Sequence, residues 1–500
     1  MKIRYYLAGS MLALASTVPA HAQSTSTVNQ TGNDGSAEVT QTGEGTNSSD
    51  VTQDGANNSV FVTQVSESGE TNNSTILQDT GSSFNTATVN QAGEGNASDI
   101  VQEGTLSGAT VTQTGSDNDS LVTQTAGGFA TFPVVTQTGD QNSSTVTATG
   151  AAGVINVTQN NDIDETLGNV SVVSQSGAGA ATDVNQDGQE NDSVVVQGGA
   201  LANVDVDQTG TNNRSNINQT AVLAAVTVAQ NGADNESDVS QTSGGTIGVL
   251  QDGSENLSDV VTTAFTTVNV DQSGELNESI VIGDAGGSSA TIDQDGTSNV
   301  SSVEQNSAEQ SRPCSGFFEC LLTGGGPVEG AILNENQVAS VTQSGEDNVS
   351  LLEQFGRDQT ATVNQTGDGN FSIGLTLGSA GIVQVGQNQN ASLTQGGNNN
   401  RSRIEQGTIG DFAIVTDASS DGNTANVTQN GDTGTSVLSQ NGDRNTATLL
   451  QDLAAIDAES TITQLGADNG ATVSQGGIGD ASAISQDGAN NAITVTQNFP

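Results

Sequence analysis

Apolar and polar residues alternate in short segments that recur with a period of eleven residues. In an extended backbone, one face of each segment carries Asn, a small residue, an aliphatic residue and Gln, as at Asn191, Ser193, Val195 and Gln197. The opposite face carries Ser, Thr, Asp, Asn and Glu. Alternation over about six residues predicts a half-buried β-strand.

Each predicted strand is followed by a short x-G-x-x segment. Its glycine permits positive φ, and the neighbouring Asp or Asn can bond the local backbone. Every eleven residues therefore predict one strand and one tight turn. The turn glycines of the most regular stretches are Gly188, Gly210, Gly232, Gly466 and Gly488.

A glutamine closes most of the predicted strands, and 35 glutamines keep this phase between Gln30 and Gln497. A buried amide without a partner costs about 1–3 kcal/mol, so inward glutamines are predicted to bond to their copies above and below. The alternative places each Gln at a strand end, half in solvent. Two regular stretches hold Gln186, Gln197, Gln208, Gln219, Gln230 and Gln241, and Gln464, Gln475, Gln486 and Gln497. At three further positions with the same spacing, Ala148, Gly283 and Asp417 replace the glutamine.

The asparagines show that the true repeat spans two of these eleven-residue segments, with two strands and two turns. Asn191, Asn213 and Asn235 occupy alternate segments, and Asn469 and Asn491 follow the same rule. We therefore predict an all-β fold, a β-solenoid with two strands per rung and about 20 rungs. One edge is expected to be regular, and the other to hold the long gaps Gln124–Gln137, Gln159–Gln175 and Gln451–Gln464.

The predicted organisation has six parts. Lys2, Arg4, an apolar stretch and an Ala-His-Ala site predict that residues 1–22 are a secretory signal peptide. No later segment reaches the about 20 apolar residues of a membrane span. The remaining parts are a leader (23–29), repeats (30–305), an insertion (306–337), further repeats (338–497) and a tail (498–500).

The insertion contains Cys314 and Cys320, which are predicted to form a disulfide in an exported protein. With no histidine beyond the predicted signal peptide, two cysteines alone do not favour a metal site. The insertion is either a docking element or a tolerated surface loop.

Removing residues 1–22 leaves 6 basic and 57 acidic residues, so the formal charge is 6 − 57 = −51. Such a chain is expected to repel nucleic acid and anionic membranes. Every Lys, His and Tyr lies within residues 1–22, so we expect neither an enzyme nor a cofactor. The acids either maintain solubility or delay assembly, and diffuse binding of divalent cations is compatible with them.

The pattern Q-x-G-x-x-N-x-A-x-x-x-Q resembles the curlin repeat of curli fibre subunits. Gln440, Gly442, Asn445, Ala447 and Gln451 form one copy, and a second copy spans residues 464–475. The resemblance implies a secreted functional amyloid, exported through the periplasm and an outer-membrane channel. It also implies polymerisation at the cell surface as biofilm matrix, with self-association and a nucleator subunit as partners.

The role within such a system stays open between major subunit, nucleator and a stand-alone surface rod. The stand-alone class includes adhesins and ice-binding solenoids. An ice-binding surface needs a regular array of outward threonines, for which the sequence offers three T-x-T pairs: Thr86/Thr88, Thr110/Thr112 and Thr145/Thr147.

Overall fold

A computed structural model describes residues 24–66, 71–79, 81–125, 129–161, 167–305, 336–372, 381–407 and 421–497. The predicted Cys314–Cys320 disulfide and the stand-in residue Asp417 lie outside these residues. Within them the chain forms strands connected by turns and contains no helix. Accordingly, the described residues include no helix that is long and apolar enough to cross a membrane.

The strands divide into two sheets. Sheet 1 contains β1 (Thr25–Gln30), β3 (Asn47–Gln53), β5 (Asn72–Gln78), β7 (Ala97–Gln102), β9 (Asp119–Gln124), β11 (Ser143–Ala148), β13 (Val170–Gln175), β15 (Asp192–Gln197), β17 (Arg214–Gln219), β19 (Glu236–Gln241), β21 (Leu257–Thr262), β23 (Glu278–Gly283), β25 (Val300–Gln305), β27 (Val349–Arg357), β29 (Phe371–Ser372), β30 (Ile382–Gln387), β32 (Arg401–Gln406), β34 (Thr435–Asn441), β36 (Glu459–Ala467) and β38 (Ala481–Ala489).

Sheet 2 contains β2 (Ser36–Gly43), β4 (Ser59–Ser66), β6 (Thr86–Glu94), β8 (Gly108–Ser116), β10 (Phe132–Thr138), β12 (Val154–Asn160), β14 (Ala181–Gln189), β16 (Asn203–Thr211), β18 (Ala224–Ala233), β20 (Gly245–Ser254), β22 (Thr266–Glu275), β24 (Ser288–Thr297), β26 (Val338–Glu346), β28 (Thr360–Thr366), β31 (Asn390–Gln395), β33 (Thr424–Gln429), β35 (Thr446–Gln451), β37 (Gly470–Gln475) and β39 (Ala492–Gln497).

Each strand pairs in parallel with the strand two elements earlier or later, so both sheets stack along one axis. Paired residues commonly differ by 22 in residue number, as in Gln186↔Gln208 and Gln197↔Gln219. Because β29 and β30 share one level beside β27, both sheets have 19 levels in the described residues. At about 4.8 Å per level the rod is about 90 Å long. The predicted two-strand β-solenoid is confirmed.

Burial alternates along each strand, as the period-two pattern requires. In β15, Ser193, Val195 and Gln197 are buried, whereas Val196 is exposed. The two inward faces meet in a thin core of Val, Ile, Leu and Ala that runs the length of the rod. Parallel strands normally need cover on both faces. Here the second face is polar enough to meet solvent.

The stack is continuous across the segment 306–335. Strand β24 pairs with β26 through Gln294↔Gln343, and β25 pairs with β27 through Gln305↔Gln354. These partners differ by 49 in residue number instead of 22, yet every inward position keeps its partner. At the other end, residues 25–29 of the predicted leader belong to β1, which pairs with β3.

The turns define two edges. Edge 1 consists of the turns that lead from sheet 1 to sheet 2, and edge 2 of those that lead back. The long gap Gln159–Gln175 connects β12 to β13 and therefore lies on edge 2, together with Asn142, Asn169 and Asn191. The prediction that long gaps avoid the asparagine edge is wrong at this point. Asn169 keeps its hydrogen bonds on both sides, because an insertion beside it leaves its level in place.

Candidate functional site

An unbroken column of glutamine amides runs through sheet 2. All 19 strands of this sheet contribute one glutamine, from Gln41 to Gln497. Neighbouring side chains are joined by Nε2–H to Oε1 hydrogen bonds of 2.7–3.0 Å. Gln186, Gln208, Gln230 and Gln475 are at most 2% exposed. These buried amides are therefore satisfied by their own copies.

The glutamine column has a direction. Gln186 Nε2 donates to Gln208 Oε1 at 2.8 Å, and to the carbonyl oxygens of Val170 and Asn191 at 2.9 and 3.0 Å. The same amide-to-amide direction holds at every level of sheet 2. Each level thus presents Nε2–H groups toward the C-terminal end of the rod and Oε1 atoms toward the N-terminal end.

Sheet 1 carries a second glutamine column with two interruptions. Gln175, Gln197, Gln219 and Gln241 form one continuous section, with side-chain bonds of 2.9–3.1 Å. A later section includes Gln440, Gln464 and Gln486. Ala148 interrupts the column once, and Thr262 with Gly283 interrupts it again.

Each interruption leaves buried amide atoms without partners in the described structure. The unpaired atoms are Gln175 Oε1, one level after Ala148, and Gln305 Oε1, one level after Gly283. Gln241 Nε2, one level before Thr262, is unpaired as well. The glutamine phase in the sequence predicts the interruptions at Ala148 and Gly283 but not the one at Thr262. The available signal was that the repeat between β19 and β21 is shorter by one position.

Ala148→Gln is expected to stabilise the rod by about 1 kcal/mol, because its Nε2–H would donate to the unpaired Gln175 Oε1. Urea unfolding followed by circular dichroism would show a higher midpoint. Ala148→Leu is the matched control, since it adds similar volume without an amide. An equal gain from leucine would attribute the effect to packing and contradict the hydrogen-bond explanation.

The asparagine column lies on edge 2 over most of the rod and runs in the opposite direction. Asn213 Nδ2 donates to Asn191 Oδ1 at 3.1 Å and to the carbonyl oxygen of Gly232 at 3.1 Å. Its own Oδ1 accepts from the backbone N–H and the Nδ2 of Asn235, at 3.2 and 2.9 Å. One side chain therefore ties together three levels and fixes the turn backbone.

The asparagine column changes edges near the C-terminal end. On edge 2 it reaches Asn400, whose Oδ1 accepts from the backbone N–H of Gly434 at 2.8 Å. On edge 1 a new column begins at Asn423 and continues through Asn445, Asn469 and Asn491. The expected division into one regular and one permissive edge therefore holds over only part of the rod. Near the N-terminal end, Asn58 and Asn85 are bonded on edge 1 while Asn72 and Asn96 are bonded on edge 2.

The turn glycines allow the levels to approach closely. Gly188, Gly210 and Gly232 have φ of 116°, 113° and 120°, in the region that favours glycine. A Cβ built on Gly188 or Gly210 would lie 2.0 Å from the carbonyl oxygen of the glycine one level later. Gly466 is equally confined by Gly488, whereas Gly488 itself meets only an Asn491 side-chain nitrogen at 3.7 Å. The last level is open.

Both ends of the described rod expose their strands. All six residues of β1 are exposed, and most of β39 is exposed as well. Gln30 and Gln41 direct Oε1 atoms away from the stack, since their Nε2 groups donate inward to Gln53 and Gln64. At the other end, Gln486 and Gln497 are the last donors of their columns. The two ends therefore carry complementary groups.

Carboxylates accumulate along the outer faces because the register repeats. Asp183 lies beside Asp205, and burial together with the charge of Asp207 raises the pKa of both carboxyls. Glu353 pairs in register with Glu304, and its burial, with the charge of Glu304, raises its pKa to about 7. The folded rod therefore binds protons more tightly at these positions than an unfolded chain.

The three T-x-T pairs do not form one array. Thr88 and Thr110 are neighbours on the outer face of sheet 2. Thr145 and Thr147 lie in β11, which belongs to sheet 1 on the other side of the rod. The regular threonine surface that ice binding would need is therefore not assembled from these residues.

The fold and its amide columns define a two-sided β-solenoid repeat protein. Within it, residues 336–367, which include β26 and β27, match the curlin associated repeat family. The matched segment contains all of β26, β27 and β28, and the levels before and after it also pair glutamine with glutamine, in Gln294↔Gln343 and Gln365↔Gln395. A comparison with curated proteins finds no match to this chain.

Proposed function

We propose that this protein is the structural subunit of an extracellular curli-like amyloid fibre that grows by end-to-end β-stacking. The fibre would serve as biofilm matrix and in adhesion and surface aggregation. The observation that carries the proposal is the complementarity of the two ends. One end offers Gln30 and Gln41 Oε1 acceptors, and the other offers Gln486 and Gln497 Nε2–H donors.

The strand backbones support the same joint. Within the rod, Gly470 N–H donates to the carbonyl oxygen of Asn491, one level further on. By this alternation, the N–H groups of Ala492, Thr494 and Thr496 point away from β37, toward the open end. An exposed strand edge of this kind recruits another strand. A second copy supplies one of matching length, register and side-chain columns.

The export route follows from the same proposal. The sequence features of residues 1–22 support secretion, and the curlin associated repeat supports a curli-type surface protein. An outer-membrane export channel and a nucleator subunit are the partners that such a system would supply. Neither a cofactor nor an enzymatic reaction enters the proposal.

Electron microscopy and fibre diffraction of the purified mature chain test the proposal directly. We expect unbranched fibres with an axial reflection near about 4.8 Å, the strand spacing of the stack. Rods that stay monodisperse at high concentration would contradict it and favour a stand-alone surface solenoid.

Thr494→Pro tests whether the C-terminal end is the joint. Proline removes one outward N–H and places its ring against an incoming strand, while the bonds from β39 to β37 remain. We expect at least tenfold slower elongation from preformed seeds, measured by dye binding. Thr494→Ala keeps the N–H and is expected to elongate like the wild type. Equal rates for the two variants would place the joint elsewhere.

A further inference from the structure

Edge 1 carries no charged residue over seven consecutive levels of an otherwise acidic rod. The described residues of its turns, 125, 129–131, 149–153, 176–180, 198–202, 220–223, 242–244 and 263–265, include no Asp, Glu, Lys or Arg. Leu201 is 63% exposed, Leu223 70% and Phe265 62%. With Phe129 and Val222, which are also exposed, these residues form a stripe about 29 Å long. We call these seven turns the apolar stripe.

The opposite edge of the same levels is acidic. Asp140, Glu190, Asp234 and Glu255 lie in its described turns, and Asp187, Asp252 and Glu275 lie near the ends of the strands that lead into these turns. The contrast between the edges is sharp because the two sets of turns share the same levels of the stack. A contiguous exposed apolar patch of a few hundred Å² is often functional.

The backbone holds the apolar side chains outward at a cost. Leu201 and Leu223 have φ of 54° and 57°, where a leucine is strained by about 1–2 kcal/mol. Gly179 occupies the equivalent position one level earlier, with φ of 65°. Hydrogen bonds from Leu201 N–H to Ala178 O at 2.9 Å and from Leu223 N–H to Ala200 O at 3.0 Å fix this geometry.

We propose that the apolar stripe binds the apolar stripe of a second copy, so that two rods lie side by side. A chain with a net charge near −50 repels its copies wherever carboxylates approach. With edge 1 against edge 1, both acidic edges face away from the contact. Each strand alone is about 20 Å long, so these edges lie well beyond the about 8–10 Å over which salt screens charge.

The shape of the stripe selects an antiparallel pairing. Its levels are of two kinds: bulky turns, at Phe129, Leu201, Leu223 and Phe265, and small turns of Gly, Ala, Ser and Thr. A two-fold axis between the levels of Gly179 and Leu201 places the Leu201 turn opposite turn 176–180. The same axis places the Leu223 turn opposite turn 149–153, and the Phe129 turn opposite turn 242–244. Bulky turns then meet small turns at six consecutive levels, whereas a parallel pairing in register sets bulky turns against each other.

The contact area determines whether lateral pairing can be detected between isolated rods or only within fibres. A stripe about 29 Å long and one turn wide buries roughly 300 Å² per rod, below the about 800 Å² of a standard interface. Two isolated rods therefore pair weakly. In a fibre built as proposed above the stripe recurs in every subunit, and avidity makes the pairing stable.

The test compares three variants by the mass per length of unstained fibres in scanning transmission electron microscopy. Wild-type fibres are expected to have twice the mass per length of a single stack of rods. Leu201→Asn with Leu223→Asn should halve it, because asparagine accepts positive φ but removes the apolar contact. Leu276→Asn is the matched control, since Leu276 has φ of 58° and is 49% exposed, but lies on edge 2. It should leave the mass per length unchanged.

Gly179→Leu distinguishes shape complementarity from non-specific hydrophobic association. It adds apolar surface to the stripe but fills the notch that receives the partner's bulky turn, and should therefore also halve the mass per length. Wild-type fibres one rod wide, or paired fibres in the Leu201/Leu223 double variant, would overturn the proposal.

Failure of the fibre hypothesis is distinguishable from failure of lateral pairing. If the wild type forms no fibres, sedimentation equilibrium of the soluble rods in added salt takes the place of microscopy. A weak dimer that the double variant loses and Leu276→Asn retains would support lateral pairing without end-to-end growth. Strictly monomeric wild-type rods across the accessible concentrations would refute it.

Discussion

Asn213→Ala is expected to lower the local free energy of unfolding by about 3–5 kcal/mol. The substitution removes the acceptor of the buried Asn235 N–H and the donor to the Gly232 carbonyl oxygen. Each buried group left unpaired costs about 1–3 kcal/mol, and the turn also loses its link between three levels. The effect should spread to adjacent levels, because each is held mainly by its neighbours.

Native-state hydrogen exchange measures this loss level by level. Amides near Asn213 should exchange faster in the variant, whereas those near Gln464 should be unaffected. Asn216→Ala, on the exposed face of the same strand β17, is the matched control and should change exchange little. Equal protection in both variants would show that the asparagine column does not hold the turns.

Acidification is expected to accelerate assembly strongly, with lag times shortened about tenfold or more between pH 8 and pH 4.5. Two effects act in the same direction. Protonation lowers the net charge that keeps copies apart, where each exposed pair at about 5–10 Å repels by a little under 1 kcal/mol. It also stabilises the folded stack that recruits the next chain, since the rod holds carboxyls whose pKa is raised by burial.

The sign follows from the direction of these shifts. For an acid with a raised folded-state pKa, the unfolded chain gives up its proton first, so stability falls as pH rises. For Glu353, whose pKa is raised to about 7, this window runs from about 4.5 to about 7. The loss across it is on the order of 3 kcal/mol. Asp468, whose pKa is lowered by its bond to Arg444, has the opposite sign but lies at the surface.

Glu353→Gln separates the two effects. The variant should lose most of the pH dependence of urea stability between pH 4.5 and pH 8, while assembly still responds to acid through net charge. Added calcium should shorten lag times at pH 8 in both proteins by screening carboxylates. Lag times that respond to neither acid nor calcium would contradict the proposal that net charge controls when assembly begins.

Much of the fold was predictable because two periods are written directly into the chain. The period of two sets which side chains point inward, and the longer two-strand period sets which residues stack, as in Gln186 over Gln208. In a parallel stack with identical registers, these two periods nearly determine the architecture. The amide columns followed from the same argument, since each buried Gln or Asn in the repeat faces its own copy one level away.

The switch of the asparagine column between edges was not predictable from local spacing. Asn400 and Asn423 both satisfy the repeat. Only the pairing of β32 with β34, and of β33 with β31, assigns them to different edges. The amide columns of the two edges overlap along the rod. On edge 1, Gln359 Nε2 already donates to the Gly386 carbonyl oxygen at 3.1 Å, before the column of edge 2 reaches Asn400. An amide column needs only a like neighbour, so either edge can hold it.

The apolar stripe also escaped sequence analysis, although its residues were visible. Leu201 and Leu223 each stand beside the small residues that mark the permissive turn, and neither breaks the repeat. Their significance lies in stacking at one edge and in their left-handed backbone, both of which depend on three-dimensional register.

The interruptions at Ala148 and at Thr262 with Gly283 have a mechanical consequence. Tension along the axis acts on the levels in series, because each strand hydrogen-bonds only to the strands one level before and one level after it in the stack. At these levels sheet 1 lacks side-chain amide bonds, while the column of sheet 2 is intact. Under tension the strands of sheet 1 should therefore separate first at these levels, so that the rod bends there before the stack breaks. A long fibre of such rods would carry compliant joints at fixed intervals instead of behaving as a uniformly brittle thread.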